Sequence, residues 1–139
     1  MNEEIGALVQ YRLEQEDECL DSAQILLERG KSRGAANRAY YAMFYSVLAL
    51  LAPRQQETSK HAGAIALFDR DFVKPGPFGQ ELSAWLHETF HLRQEADYRP
   101  MVEISPERAE AALERAGAFV AAVKAQIATA ASGGAEGRQ

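Results

Sequence analysis

Apolar residues recur at steps of three and four along most of the chain, which is the spacing of an amphipathic helix. Glycine, proline and capping residues divide this pattern into five segments. The predicted helices run from about 2 to 28, from 33 to 51, from Thr58-Ser59 to 72, from 79 to 97 and from Ser105 to 130. No stretch alternates with period two over a strand's length, except briefly over 99–104. The pattern therefore predicts an all-α fold, a compact bundle of about five helices.

The second predicted helix carries the widest apolar arc. An arc this broad is typical of a helix surrounded by others, so we expect it at the centre of the bundle. Its inward residues are Ala36, Tyr40, Met43, Phe44, Val47, Leu48 and Leu51. Residues 1–130 then form a single domain, and the small, glycine-rich residues 131–139 are expected to be a disordered tail.

The composition narrows the chemistry that this bundle can perform. The formal net charge is -5, so no global field attracts phosphate backbones, and RNA or a nucleotide must bind at a local site or with a partner's help. Cys19 is the only cysteine, which excludes an intrachain disulfide. His87 and His91 lie four residues apart, but without an H-E-x-x-H pattern they are interpreted as a solvated helix face. Neither a metal nor a cofactor is predicted.

The chain also lacks the signals of export and membrane insertion. Its first residues are acidic, with Glu3 and Glu4, and no basic region precedes an apolar run. The uncharged stretch from Ala39 to Ala52 is shorter than the roughly 20 apolar residues that cross a bilayer. We therefore expect a cytoplasmic protein without a membrane segment.

A polar and aromatic cluster lies on the second helix, at Asn37, Arg38, Tyr41 and Tyr45. Such a face can stack on a base and hold a phosphate, which makes Asn37, Arg38 and Tyr41 candidate ligand-binding residues. Tyr and Arg are equally enriched where subunits meet, so the same face can be the seam of a homodimer.

Lys60 and His61 begin the third helix. A helix N-terminus with a lysine and a histidine is a candidate anion site, so both are candidate ligand-binding residues. The alternative is structural, because His61 falls on the inward stripe with Ile65 and Phe68 and can simply bond to a core neighbour.

The end of the fourth helix carries Arg93, Asp97 and Tyr98. Arg93 and Asp97 continue the apolar stripe of Leu82, Leu86 and Phe90, and inward charges must be paired or serve a purpose. The pair is either a structural ion pair at the helix end or a functional arginine oriented by an aspartate. We expect the two side chains to be close together and at least partly buried.

Four short motifs, in this order, resemble one subfamily of the HEPN domain family. The first is Ala36-Asn37-Arg38-Ala39-Tyr40-Tyr41-Ala42-Met43-Phe44, and Ser59-Lys60-His61 and Phe72-Val73-Lys74 follow. The last is Arg93, Asp97 and Tyr98, which matches an Arg-x-x-x-Asp-Tyr pattern. The similarity spans about Leu13 to Ile127. It implies a helical bundle, usually a homodimer, often encoded beside a minimal nucleotidyltransferase.

The resemblance also implies a function. Many HEPN proteins are metal-independent ribonucleases that act as toxins, and their usual motif places a histidine after the arginine. No histidine follows Arg93 here, so ribonuclease activity is left open, while binding of nucleotide or RNA by Arg38 and Arg93 remains expected. Arg93, Asp97 and Tyr98 are the candidate catalytic residues, and Tyr98 is the candidate for modification by the partner enzyme.

Two functional hypotheses follow. In the first, the protein is the HEPN subunit of a toxin–antitoxin-like or defence module, acts with a nucleotidyltransferase and binds nucleotide or RNA at a cleft with Arg93. In the second, it is a non-enzymatic, dimeric helical interaction module in which Arg93 and Asp97 form a structural ion pair.

Overall fold

The computed structural model describes residues 2–56, 58 and 60–136, and over these residues it contains helices and no strand. The α-helices are α1 (Glu3–Glu28), α2 (Ser32–Leu51), α3 (His61–Phe68), α4 (Gln80–Tyr98) and α5 (Pro106–Glu136). A short 3₁₀ turn, Ala52–Arg54, follows α2, and a π-helical turn, Asp69–Val73, extends α3. The predicted all-α class is confirmed.

The helix ends follow local capping rules, with one correction. Asn2 Oδ1 accepts from the Ile5 N–H at 2.8 Å, and Ser105 Oγ accepts from the Arg108 N–H at 3.2 Å. The N-cap of α3 is Lys60, so the predicted cap at Thr58 or Ser59 is wrong for Thr58, and Ser59 lies outside the described residues. Thr58 Oγ1 accepts instead from the Lys60 N–H at 3.2 Å, which forms a turn before the helix rather than its cap.

Helix α5 continues beyond the boundary that the sequence analysis placed at residue 130. Residues 131–136 are helical, so the tail predicted to be disordered begins as helix. Ala128, Ala130 and Ala131 have the highest helix propensity and favour helix up to that boundary, whereas Gly133 and Gly134 oppose it, so local propensity does not predict these last turns. Residues 137–139 lie outside the described residues.

Helix α2 is the centre of the bundle, as predicted. It packs against α1, α3, α4 and α5. Tyr40, Met43 and Val47 are buried along its length, and Phe68 and Phe119 close the core from α3 and α5. Small residues on α2 (Ala35, Ala36, Ala39, Ala42 and Ala49) are fully buried and allow its neighbours to approach closely.

Polar contacts near both of its ends hold α4, which carries part of the candidate site. At its start, Asp69 accepts from Ser83 Oγ at 2.7 Å and lies 2.7 Å from His87 Nε2, which ties the π-helical turn to α4. At its end, the guanidinium of Arg33 donates to the carbonyls of Ala96 and Val102. His87 therefore contacts Asp69, and the described residues contain no group of three His, Cys, Asp or Glu side chains that could hold a metal ion.

Among the described residues, no helix is both long enough and apolar enough to cross a membrane.

Candidate functional site

The site is built where α2 passes the end of α4. Asn37 Nδ2 donates to Asp97, at 3.1 Å from Oδ1 and 2.9 Å from Oδ2. Arg38 donates to Asn37 Oδ1 through Nε at 2.8 Å and Nη2 at 2.7 Å. Asn37 thus uses its carbonyl toward a cation and its amide nitrogen toward a carboxylate, and joins two of the predicted clusters into one polar chain.

Arg93 lies beneath this polar chain and is 5% exposed. The ring centroids of Tyr40, Tyr41, Phe90 and Tyr98 surround its guanidinium at 5.2–5.6 Å from Cζ. Its Nε has no hydrogen-bond partner among the described residues. The site therefore has a buried cation that is held by aromatic faces and incompletely paired.

Asp97 and Tyr98 form the open edge of this cage. Asp97 Oδ2 lies 3.6 Å from Arg93 Nη1, with 25% of the Asp97 side chain exposed, so the expected close and partly buried pair is confirmed. Tyr98 accepts from Arg93 Nη1 at 3.4 Å, while the residue is 71% exposed. The edge therefore presents a carboxylate and a largely free aromatic ring to solvent.

Arg38 covers one wall of the site. Its Cζ lies 4.9 Å from the centroid of the Tyr41 ring, and its Nη1 lies 3.8 Å from Cys19 Sγ. Tyr41 and Tyr45 are half-buried neighbours with centroids 6.1 Å apart, and burial raises the pKa of Tyr45. Arg38 remains half-buried, so it can still meet an anion at the surface.

His61, a candidate ligand-binding residue in the sequence, reaches the same site from α3 and bonds to the buried residue Tyr40, which is the structural alternative expected for it. The sequence did not predict that His61 would lie close to Arg93, because the two residues belong to different helices. The Nδ1 of His61 lies 2.8 Å from the hydroxyl oxygen of Tyr40, and its ring shares Tyr40, Tyr41 and Phe90 as neighbours with Arg93. Burial, and then the positive charge of Arg93, lower the pKa of His61, so the imidazole is neutral at pH 7. Burial raises the pKa of Tyr40, so its hydroxyl stays protonated.

The inward stripe of α3 gave the only sequence signal for this position of His61. Lys60, by contrast, is exposed beside the site and makes no side-chain hydrogen bond to the other described residues of the site.

The arrangement suits recognition of an anionic, aromatic ligand. A phosphate can approach Arg38 and the field of Arg93, while a base can stack on the exposed Tyr98 ring. No cofactor is needed for these contacts, and every group in them comes from α2, α3 or α4.

Comparisons with known proteins match nearly the whole body of the chain. A family model for the HEPN domain matches residues 9–126. A UPF0332 protein of Thermotoga maritima is 37% identical over 91% of this chain and 96% of its own length. Two proteins of Methanocaldococcus jannaschii that bear the name "putative toxin" are also similar. One is 35% identical over 89% of this chain and 92% of its own length. The other is 32% identical over 78% of this chain and 74% of its own length.

Proposed function

The chain belongs to the HEPN domain family, and from this premise we propose that it is the toxin-like subunit of a two-component module. In this proposal it acts in the cytoplasm with a nucleotidyltransferase and binds nucleotide or RNA at the surface formed by Arg38, Asp97 and Tyr98 above Arg93. Support for the toxin-like role comes from the relatives that carry that name.

The observation that carries the binding proposal is the continuous chain of contacts Arg38–Asn37–Asp97–Arg93–Tyr98. A purely structural ion pair would need only Arg93 and Asp97. Here Asp97 is shared between Asn37 and Arg93, and the cation keeps an unpaired Nε in a buried, low-dielectric place. Such a site has a local positive field, which an acidic protein needs for binding a phosphate.

Tyr98 has a second role in this proposal, as the residue that the nucleotidyltransferase modifies. Its 71% exposure makes the phenol accessible, and Arg93 Nη1 near its oxygen can stabilise negative charge during attack. The phenol oxygen would form a bond to the α-phosphorus of a nucleoside triphosphate, pyrophosphate would leave, and the phenol proton would pass to solvent or to a base. Modification would place a bulky anion over the Arg38 surface and block it.

Binding of a fluorescent single-stranded RNA and of ATP tests the proposal. Arg38→Gln and Tyr98→Ala should each weaken RNA binding about tenfold, because a phosphate contact or a stacked base is lost. The matched control for Arg38→Gln is Arg29→Gln, at an exposed arginine just after α1. The matched control for Tyr98→Ala is Tyr11→Ala, at an exposed tyrosine on α1. Absence of RNA and ATP binding by the wild-type protein would reject the proposal in favour of the interaction module.

One observation favours a second function, metal-independent cleavage of RNA. The absence of a histidine after Arg93 predicts little or no ribonuclease activity, yet His61 stands beside Arg93 in space with Tyr40 fixing its Nδ1. In the tautomer whose Nδ1–H donates to the Tyr40 oxygen, Nε2 would accept the 2′-hydroxyl proton while the 2′-oxygen bonds to phosphorus. The bond from phosphorus to the 5′-oxygen would break, and the 5′-oxygen would take a proton from solvent.

Cleavage of single-stranded RNA in EDTA decides between these expectations. If His61 is the base, His61→Gln abolishes cleavage without weakening RNA binding, and the wild-type rate falls on the acid side as His61 becomes protonated. His61 has a lowered pKa, so this acid limb should lie below pH 6.5. Undetectable cleavage by the wild-type protein would uphold the expectation from the motif.

A further inference from the structure

A second surface, on α1 and α5, shares no residue with the candidate site. These two helices run antiparallel and are pinned together where Lys124 Nζ lies 2.9 Å from Glu16 Oε1 and 2.6 Å from Asp17 Oδ1. Beyond this pin they enclose an open groove of about 650 Å³ between residues 20–27 of α1 and 110–118 of α5.

The lining of the groove is apolar below and acidic above. Leu20, Leu27 and Leu113 contribute apolar surface and are only partly buried by the bundle. The charged residues that line it are Asp21, Glu110 and Glu114, and no Lys or Arg is among the lining residues that the structure describes. This combination attracts a ligand that is both apolar and basic.

A glycine in the middle of α5 leaves the groove open. Gly117 lies within a 31-residue helix, and a Cβ placed on it would meet nothing within 4 Å. A glycine in a helix interior costs about 1 kcal/mol relative to alanine, and no packing contact within the bundle requires one here. The missing side chain provides room for another backbone to approach α5 closely.

We propose that this groove binds an amphipathic helix of a partner protein, one with leucine-like residues on one face and lysine or arginine at its flanks. The acidic rim repels the phosphates of a nucleic acid. Symmetric pairing of two copies through this groove would bring the same three carboxylates from each copy together, which is unfavourable for a protein of net charge -5. The partner is therefore a different protein, and this inference stands independently of the function proposed for the Arg93 site.

The test uses a synthetic, fluorescently labelled leucine–lysine peptide of about 18 residues, long enough to form a helix. A peptide of the same composition in scrambled order controls for charge alone. The wild-type protein should bind the amphipathic peptide at least about tenfold more tightly than the scrambled one, because only the ordered sequence presents an apolar face to the leucines. Equal binding of the two peptides, or no binding of either, would overturn the proposal.

Matched variants locate the binding. Gly117→Leu fills the groove and should weaken binding at least about tenfold, whereas Gly6→Leu, at another helical glycine with open space, should not. The double variant Glu110→Gln, Glu114→Gln should bind the amphipathic peptide more weakly, and its binding should depend less on salt concentration. The same change at the exposed pair Glu14 and Glu18 on α1, which alters net charge equally, should have a smaller effect. Equal effects of either variant and its control would overturn the proposal.

Discussion

At the residue scale, Arg93 is held in two ways, by aromatic faces and by one partly exposed carboxylate. Four rings lie within 5.6 Å of its Cζ, and Asp97 Oδ2 lies 3.6 Å from Nη1. Because 25% of the Asp97 side chain is exposed, water screens part of its attraction to Arg93. The rings contribute apolar contact that persists when the carboxylate is removed.

Asp97→Ala should therefore lower the free energy of unfolding by about 1–3 kcal/mol, less than for a fully buried pair, because Arg93 and Asn37 both lose a partner. Arg93→Met combined with Asp97→Ala should recover much of this loss, since no buried charge remains uncompensated. Denaturant midpoints of the single and double variants measure the coupling, and RNA binding gives the functional readout. A stable double variant that still binds RNA would contradict a functional role for the pair.

Besides Arg93, Glu16 is the charged residue that is buried in the described part of the chain, and it predicts a pH dependence of stability. Burial, only partly offset by Lys124, raises the pKa of Glu16 from its ordinary 4.5 to about 7. The folded protein thus binds this proton more tightly than the unfolded chain does. The contribution of Glu16 to stability is fully present below about pH 4.5 and is lost as pH rises through about 7.

Glu16→Gln should remove this fall in the free energy of unfolding with rising pH, because the amide does not titrate. The fall attributed to Glu16 is up to about 3 kcal/mol between pH 4.5 and 8. Urea unfolding at several pH values measures it, with Glu14→Gln at an exposed α1 position as the control. An unchanged slope in Glu16→Gln would show that another group is responsible.

At the scale of elements, Arg33 connects α2 to the segment after α4. Its guanidinium binds the carbonyls of Ala96 and Val102, on either side of Met101, which adopts a positive φ of 62°. A non-glycine residue in this conformation is costly and persists only where its surroundings impose it. Arg33 therefore holds the segment that carries Tyr98 in place.

Arg33→Ala should lower the free energy of unfolding by about 1–2 kcal/mol and increase amide exchange over residues 97–104, because both carbonyls lose a charged donor. Hydrogen exchange by mass spectrometry measures the local effect. The exposed Arg29→Ala should leave exchange in this segment unchanged, and equal exchange in the two variants would contradict the role of Arg33.

At the scale of the whole molecule, the homodimer remains a prediction. Tyr41 and Tyr45 are only half-buried within one copy. Aromatic surface of this kind is typical of a subunit interface.

Light scattering at micromolar concentration should give a dimer mass for the wild-type protein. Tyr45→Glu should shift it toward monomer because a charge would be buried at the interface, whereas Tyr11→Glu on the exposed face of α1 should not. Circular dichroism checks that both variants keep their helices. A monomer mass that persists on concentration would contradict the dimer.

The sequence by itself determined the helices, the central place of α2, and the closeness of Arg93 and Asp97. These features depend on contacts three or four residues apart, which the backbone hydrogen bonds of one helix impose. Hence the predicted helices, which end near Gly30, Pro53 and Pro100, match the observed ones to within a few residues, except at the C-terminus, where α5 continues to Glu136.

Only the tertiary structure decided which side chains meet across helices. Asn37 and Asp97 are 60 residues apart, His61 meets Tyr40 from another helix, and Arg33 reaches carbonyls more than 60 residues away. The groove between α1 and α5 likewise depends on where two antiparallel helices diverge. Such contacts are fixed by the crossing angle and axial register of packed helices. Those are properties of the whole core, and no local periodicity specifies them.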